Sequence, residues 1–566
     1  MRFAAALAVA PLACSPAADP RGPAAAGNAG AAGSAGGGAD AGTGGATTER
    51  PPAGLGPGII AECQADATAA VGPTPLRRIS RLEYDSAARD LFGDTSHPAA
   101  ASGFPSDEKV GSFVSNSVTT LSPTNNEGYL SAAEGIAARF AARFAQVSGC
   151  ATGDAPCAEA FLEGIARRAF HGTLEPEAAA ALRSLYARVA ARLDASAAVE
   201  AVVRSILLSP RFLYMIEFGA ADGALAPGEI AGRLAAFLWR TVPDPALLEA
   251  ADAGGLATAE QIVQRAVSML ADPRAEAMLD DFVLQWLDID DVQRISRDDP
   301  AFTPALRDAM ARETSLTFQS AVRGGQSSFV ELLTSGSSFV NRDLAALYGV
   351  PAPATEFALT PLPEHRRGIL MQAAFLATQA HPQHPSHVLR GKAVREQILC
   401  DRIPPPPPGV ERNIPVASGQ TTQQAFDAHT QEPACAGCHA WLDPIGYGFN
   451  FFDQIGRYRE SENGVAVSAQ GQIVRGPRAP LTGTFAGAGE LVQLLASSEY
   501  VQQCFAVQVT RFALGRDEQI ADACSVKTVW DRFTAGQLNV RELFVTITGT
   551  AAFSRRNPVR AGAACR

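Results

Sequence analysis

Apolar residues return every three or four positions through most of the chain beyond Pro75, and that is the helical period. The pattern predicts helices over 129–147, 157–170, 176–194, 197–208, 228–239, 259–271, 275–289, 304–322 and 341–348. It continues over 365–379, 487–497, 499–514 and 525–533. Ahead of these, Ser80-Arg-Leu-Glu83 has capping-box order: a hydroxyl for the first free amides, and a carboxylate three residues on. Leu82, Ala87, Leu91 and Phe92 then carry the apolar stripe. Few stretches alternate with the period of two that a half-buried strand requires. The expected fold is mainly α, multi-helical, with several small helical domains. Three segments interrupt the pattern. His381-Pro-Gln-His-Pro-Ser-His387 is a turn-rich histidine loop. Pro404 to Pro408 should form a polyproline II strap. Residues 460–485, rich in Gly and polar side chains, suit a small hairpin.

With 566 residues, 47 % of them hydrophobic, the chain has material for several domains with real cores. The net charge of -11 and the absence of a basic run leave no electrostatic footprint for nucleic acid, so no such partner is expected. Arg2 followed by the apolar stretch Phe3–Ala13 reads as a secretory signal over 1–14, too short for a permanent membrane span. Cys14 follows Leu12-Ala13 where a bacterial lipoprotein is cut and lipidated, although Pro11 stands where Leu is usual. The alternative is a plain signal peptide cut nearby. Either way the protein is expected to be exported, to the periplasm or as an outer-membrane or cell-surface lipoprotein held by an N-terminal lipid. Residues 15–60 read as a Gly/Ala/Pro-rich tether, too poor in large side chains to offset its ordering entropy.

Export permits disulfides among the ten cysteines. Cys150 and Cys157 lie close enough to close a small loop, and Cys504 and Cys524 flank a helical stretch they could staple. Cys63, Cys400 and Cys565 remain unassigned.

The chemistry centres on Cys435-Ala-Gly-Cys438-His439. Covalent haem attachment needs two thiols about one helical turn apart, for the two vinyl groups, and an imidazole directly after the second, for the iron; Cys-x-x-Cys-His supplies all three. The expectation is one haem c, bound through Cys435 and Cys438 with His439 as axial ligand. A zinc site would need two more ligands, for which Cys400 and His429 are the candidates at an unfamiliar spacing. A Cys435–Cys438 disulfide is a further alternative. The following Asp443-Pro-Ile-Gly-Tyr-Gly-Phe-Asn-Phe-Phe-Asp453 offers glycines for close backbone approach and aromatics to wall a porphyrin. Tyr447, Phe449, Phe451 and Phe452 are pocket candidates, and Arg457 or Arg459 could meet the propionates. For the sixth iron position His381 is the first choice. His384 and His387 are its neighbours, His429 and Met371 are alternatives, and an open position is a further option. His97, His171 and His365 read as surface or packing residues.

At these residues the chain resembles planctomycete- or myxobacterial-type cytochrome c-like exported proteins built from domains of unknown function 1587, 1595, 1592, 1588 and 1585 in that order. Arg78-Ile-Ser-Arg-Leu-Glu-Tyr84 with Arg89-Asp-Leu-Phe-Gly93 is similar to the first domain, and Ala166-Arg-Arg-Ala-Phe-His171 to the second. Ser209-Pro-Arg-Phe-Leu-Tyr214, Arg233-Leu-Ala-Ala-Phe-Leu-Trp239 and Phe339-Val-Asn-Arg342 resemble the third. His381-Pro382, Arg390-Gly-Lys392, Leu399-Cys400, the proline run, the Cys-x-x-Cys-His and Asp443-Pro-Ile-Gly446 follow the fourth; Arg511-Phe-Ala-Leu-Gly-Arg516 follows the fifth. The resemblance implies domains over 75–145, 155–217, 224–352, 364–462 and 483–558. Two departures stand out. Many relatives carry an extra N-terminal cytochrome domain, whereas Cys63 stands alone, so a second haem is not expected. The usual Thr-Ser-Pro after the histidine loop is Pro385-Ser-His387 here.

The expected role is electron transfer in the cell envelope with an unidentified redox partner protein or small molecule. The alternatives are a haem-dependent peroxidase or oxidase on an envelope substrate, and a non-haem envelope interaction or scaffold protein. No Gly-x-Ser-x-Gly, His-Glu-x-x-His or P-loop points to hydrolysis.

Overall fold

The helix Arg81–Phe92 begins as its capping box predicts: the Ser80 hydroxyl accepts from the Glu83 amide at 3.1 Å, and the Glu83 carboxylate accepts from the Ser80 amide at 2.8 Å. Gly93, at φ 59°, ends it in the left-handed conformation a Cβ disfavours. This is a computed structural model describing residues 54–65, 69–118, 121–151, 153–324, 327–405, 414–430, 433–476 and 478–557, with the backbone alone described at 428, 429 and 433–435. The expected signal at 1–14 with Cys14, the expected tether up to residue 53, the proline run beyond Pro405, and Cys565 lie outside the described residues.

Helices dominate, as the apolar period predicts. The first core joins Arg81–Phe92 to Pro123–Ala141, Ala155–Ala169, Pro176–Ala190 and Ala195–Leu207 through Tyr84, Phe92, Ile136, Phe140, Ile165, Val203 and Phe212. The second core is larger, and stretches expected to be separate small domains share it. Trp286, Phe318 and Met371 pack with Phe449, Phe505 and Phe544 in one continuous apolar cluster. Phe282 is its hub, with ring centroids 5.1 Å from Phe512 and 5.2 Å from Phe544. Each of these segments has too little apolar surface to enclose itself, so it borrows that of its neighbours.

Strands occur only as short antiparallel pairs among the described residues. The expected hairpin at 460–485 is two pairs, Ser461–Glu462 with Val465–Ala466, and Gln470–Ile473 with Gly483–Ala486. The helix expected at 365–379 is shorter: Gln372 is extended, at ψ 150°, and separates Ile369–Met371 from Ala373–Thr378.

Order also begins earlier than the sequence suggests. Gly56–Glu62 forms a 3₁₀ helix inside the expected tether, with Ile59 fully buried against Val507, Ala523 and Val526. Cys150 is bonded to Cys157. The expected Cys504–Cys524 bridge is absent: Cys524 is bonded to Cys63, and Cys504 to Cys400. Cys504 lies inside the helix Glu499–Leu514, facing the end of the histidine-loop segment, while Cys524 opens the next helix and faces the N-terminal 3₁₀ helix. The two cysteines are near in sequence but sit against different parts of the chain.

Candidate functional site

Cys435, Cys438 and His439 lie on one helix, Pro433–Gly446. Three-residue spacing brings Cys435 and Cys438 to adjacent turns of one face. The Cys438 thiol is free and half-buried, while the side chains of Cys435 and His429 lie outside the described residues. Four residues past His439 comes Asp443, one turn up the same face. Its carboxylate oxygens lie 3.0 and 2.9 Å from His439 Nδ1. The Asp443 side chain is almost fully buried and that of His439 is 23 % exposed, so the carboxylate is fixed while the outer edge of the ring remains reachable. Nδ1 is therefore the protonated nitrogen, donating to Asp443. Nε2 makes no hydrogen bond among the described residues, so its lone pair is available.

A second helix, His387–Ala393, lies directly on the motif helix. Two glycines set the distance. A Cβ at Gly446 would fall 1.9 Å from the His387 carbonyl oxygen, and one at Gly391 would fall 2.0 Å from that of Leu442. This contact buries His387 completely, with Nε2 3.9 Å from Asp443 Oδ2 and neither ring nitrogen hydrogen-bonded. Its ring packs 5.1 Å from Phe426 and 5.0 Å from Tyr447. Burial pushes the His387 pKa down and favours the neutral ring.

The rest of the histidine loop gathers on Phe426. Ring centroids of His381 and His384 lie 6.2 and 5.9 Å from it and 4.8 Å from each other. His384 Nδ1 meets its neighbour's carbonyl at 2.9 Å, leaving Nε2 buried and unpartnered. Desolvation, aided by His384, lowers the His381 pKa to about 4, so this ring too is neutral at ordinary pH. The structure thus brings His381, His384, His387 and the motif helix into one neighbourhood.

Several other candidates have different duties. Tyr447 donates its hydroxyl to Asp427 at 2.8 Å and flanks His387. Phe449 is fully buried in the main core against Phe375 rather than walling an open pocket. Met371 is likewise enclosed in that core. Arg457 pairs with Asp299 and Asp453, each at 3.1 Å, and Arg459 with Glu462 at 3.0 Å. Cys400, weighed as a zinc ligand, is consumed by its disulfide with Cys504. Among the described residues no group of three or more His, Cys, Asp or Glu side chains could hold a bare metal ion.

Two further residues position the site. Asp443 was legible from its four-residue offset to His439. Arg390 is fully buried on the second helix and donates to the carbonyls of Leu376, Phe449, Phe452 and Asp453 at 2.6–3.0 Å. It clamps the loop that follows the motif helix; only its place in the family pattern marked it.

Five family models match in order: Protein of unknown function (DUF1587) over 77–142, (DUF1595) over 157–217, (DUF1592) over 225–350, (DUF1588) over 366–462 and (DUF1585) over 483–553. The chain belongs to the group of proteins assembled from these five domains in this order, and the site lies within the fourth. No curated protein and no solved structure matches it.

Proposed function

We propose that this is an exported c-type haem protein that carries electrons in the cell envelope. The observation that carries the reading is the Asp443 carboxylate on His439 Nδ1, which fixes the tautomer and leaves Nε2 free, on a helix that also carries the free Cys438 thiol. A carboxylate behind a ligating imidazole orients the ring and raises its basicity. The donor set fits haem c: Cys435 and Cys438 would hold the porphyrin edge and His439 would bind the iron. The haem, when bound, supplies one-electron chemistry. The chain's own residues do the rest. Asp443 holds the proton at Nδ1, the glycine-tight contact with His387–Ala393 keeps the motif helix rigid, and Phe426 and Tyr447 exclude water from behind it. His381, which lies beside His384 and Phe426, remains the first candidate for the sixth position. Its low pKa suits it, since only a neutral imidazole can ligate.

Export is supported by three disulfides among the described residues. No described helix is long and apolar enough to cross a membrane, and the lipid anchor proposed at Cys14 needs none. The test is to express the chain in a host with covalent haem-attachment machinery, then record its mass and absorption spectrum. A Soret band with a haem-sized mass increment is expected. A colourless protein of unmodified mass would end the proposal. Refusal of carbon monoxide by the reduced form is expected of a carrier; its binding would turn the reading to a peroxidase or oxidase. Loss of the six-coordinate spectrum in His381→Ala would assign the sixth ligand, and an unchanged spectrum would remove it from consideration.

A further inference from the structure

A small cleft of about 50 Å³ opens far along the chain from the haem motif, where four of the five matched segments meet. Arg77 and Arg78 come from the first, Glu217 from the second, Arg233 and Arg240 from the third and Arg516 from the fifth. Five arginines thus line it, against the two acids Glu83 and Glu217.

Four of the five are neutralised in place. Arg77 pairs with Glu83 at 2.9 Å, Arg233 with Glu217 at 2.5 Å, Arg240 with Asp281 at 2.7 Å and Arg516 with Asp522 at 2.7 Å. Arg78 is the exception. It is 6 % exposed, its Nη1 has no hydrogen-bond partner, and it has no ion pair among the described residues. A guanidinium cannot shed its proton to escape burial. A buried guanidinium nitrogen with neither a hydrogen-bond partner nor an ion pair is costly.

We propose that Arg78 and the cleft it lines bind a compact inorganic oxyanion, sulfate or phosphate in type. The guanidinium fork matches two oxygens of such an ion, and because the other four arginines are already paired with carboxylates, Arg78 would supply the charge that holds it. The cleft is too small for a nucleotide or a peptide carboxylate with its backbone. Because the ion would touch several segments at once, its binding would tie their stability together.

The test is thermal unfolding of the whole mature chain in sulfate, phosphate or chloride, at ionic strength held constant with a bulky organic salt. Wild type is expected to gain stability saturably with sulfate and phosphate, with an apparent affinity at least tenfold above that of Arg78→Met. Without oxyanion, Arg78→Met should melt no lower than wild type, since the uncompensated charge is gone. Equal responses of the two proteins, or the same saturable gain from chloride alone, would overturn the proposal. If Arg78→Met does not fold, calorimetric titration of wild type with sulfate decides: saturable heat that weakens at least tenfold in Arg78→Lys supports the site, and none in wild type overturns it.

Discussion

At the scale of single residues, the strongest effects come from ionisable groups placed where water cannot reach them. Asp443 is one. Neutralising it as Asp443→Asn keeps a hydrogen-bond acceptor for His439 but removes the negative charge behind the ring. On the proposed ligation by His439, a less basic imidazole would stabilise oxidised iron less, so the midpoint potential of a haem-loaded protein should rise. A tenfold change in the redox equilibrium corresponds to about 59 mV for one electron, and a shift of that order is expected by spectroelectrochemistry. The covalent mass increment should be unchanged, which separates this effect from failed attachment. Glu313 is a second such group, remote from the motif. It is fully buried and accepts from Ser338 and Tyr348, each at 2.6 Å, and desolvation raises its pKa to about 7. The folded protein therefore keeps this proton over a range where the unfolded chain, whose glutamate has its ordinary pKa of 4.5, has released it. Stability is undiminished below that value, falls as pH climbs toward 7, and then levels. The full difference is on the order of 3 kcal/mol. Glu313→Gln mimics the protonated acid and should flatten the profile, so denaturant unfolding at pH 5 and pH 8 should differ less in the variant than in wild type.

At the scale of elements, the site is a pair of helices whose separation is set by two missing side chains. Gly446→Ala would drive a methyl group into the His387 carbonyl. The helices would have to part, at a cost of about 1–3 kcal/mol typical of overpacking. The expected readout is a lower denaturation midpoint and a smaller yield of haem-loaded protein, with far-UV helicity retained. Motif, helix content and the capping box at Ser80 were all legible in the sequence, because each rests on spacing along one element. The partner of the motif helix was not legible in the same way. That His387, rather than His381, lies against Asp443 depends on a backbone contact between segments about fifty residues apart, and single glycines at 391 and 446 do not announce which carbonyl they face. For the same reason Phe449 and Arg457 looked like pocket residues: an aromatic or a charge near the motif in sequence is claimed by the core or by Asp299 only once the chain is folded.

At the scale of the whole molecule, two disulfides converge on neighbouring C-terminal helices, and their mechanical roles should differ. Cys63–Cys524 closes a separation of 461 residues, Cys400–Cys504 one of 104. Loop entropy alone would rank the longer loop as the more stabilising. The packing argues the reverse. Cys63 secures a short 3₁₀ helix whose only fully buried large side chain is Ile59, so without the bridge residues 54–65 can detach while both main cores stay closed. Local opening of that kind limits what a crosslink can contribute to the rest. Cys400 and Cys504, by contrast, are both nearly inaccessible, and they join the end of the histidine-loop segment to the helix Glu499–Leu514, which carries Phe505 into the large core. No segment can leave there without opening that core. The paired variant Cys400→Ser/Cys504→Ser should therefore lower the main thermal transition, by as much as about 4–5 kcal/mol if the denatured chain gains the full freedom of a loop of that length. Cys63→Ser/Cys524→Ser should leave the transition nearly in place and instead speed proteolytic cleavage ahead of residue 65. Equal falls in the main transition for both pairs would mean that the N-terminal 3₁₀ helix is part of the cooperative core.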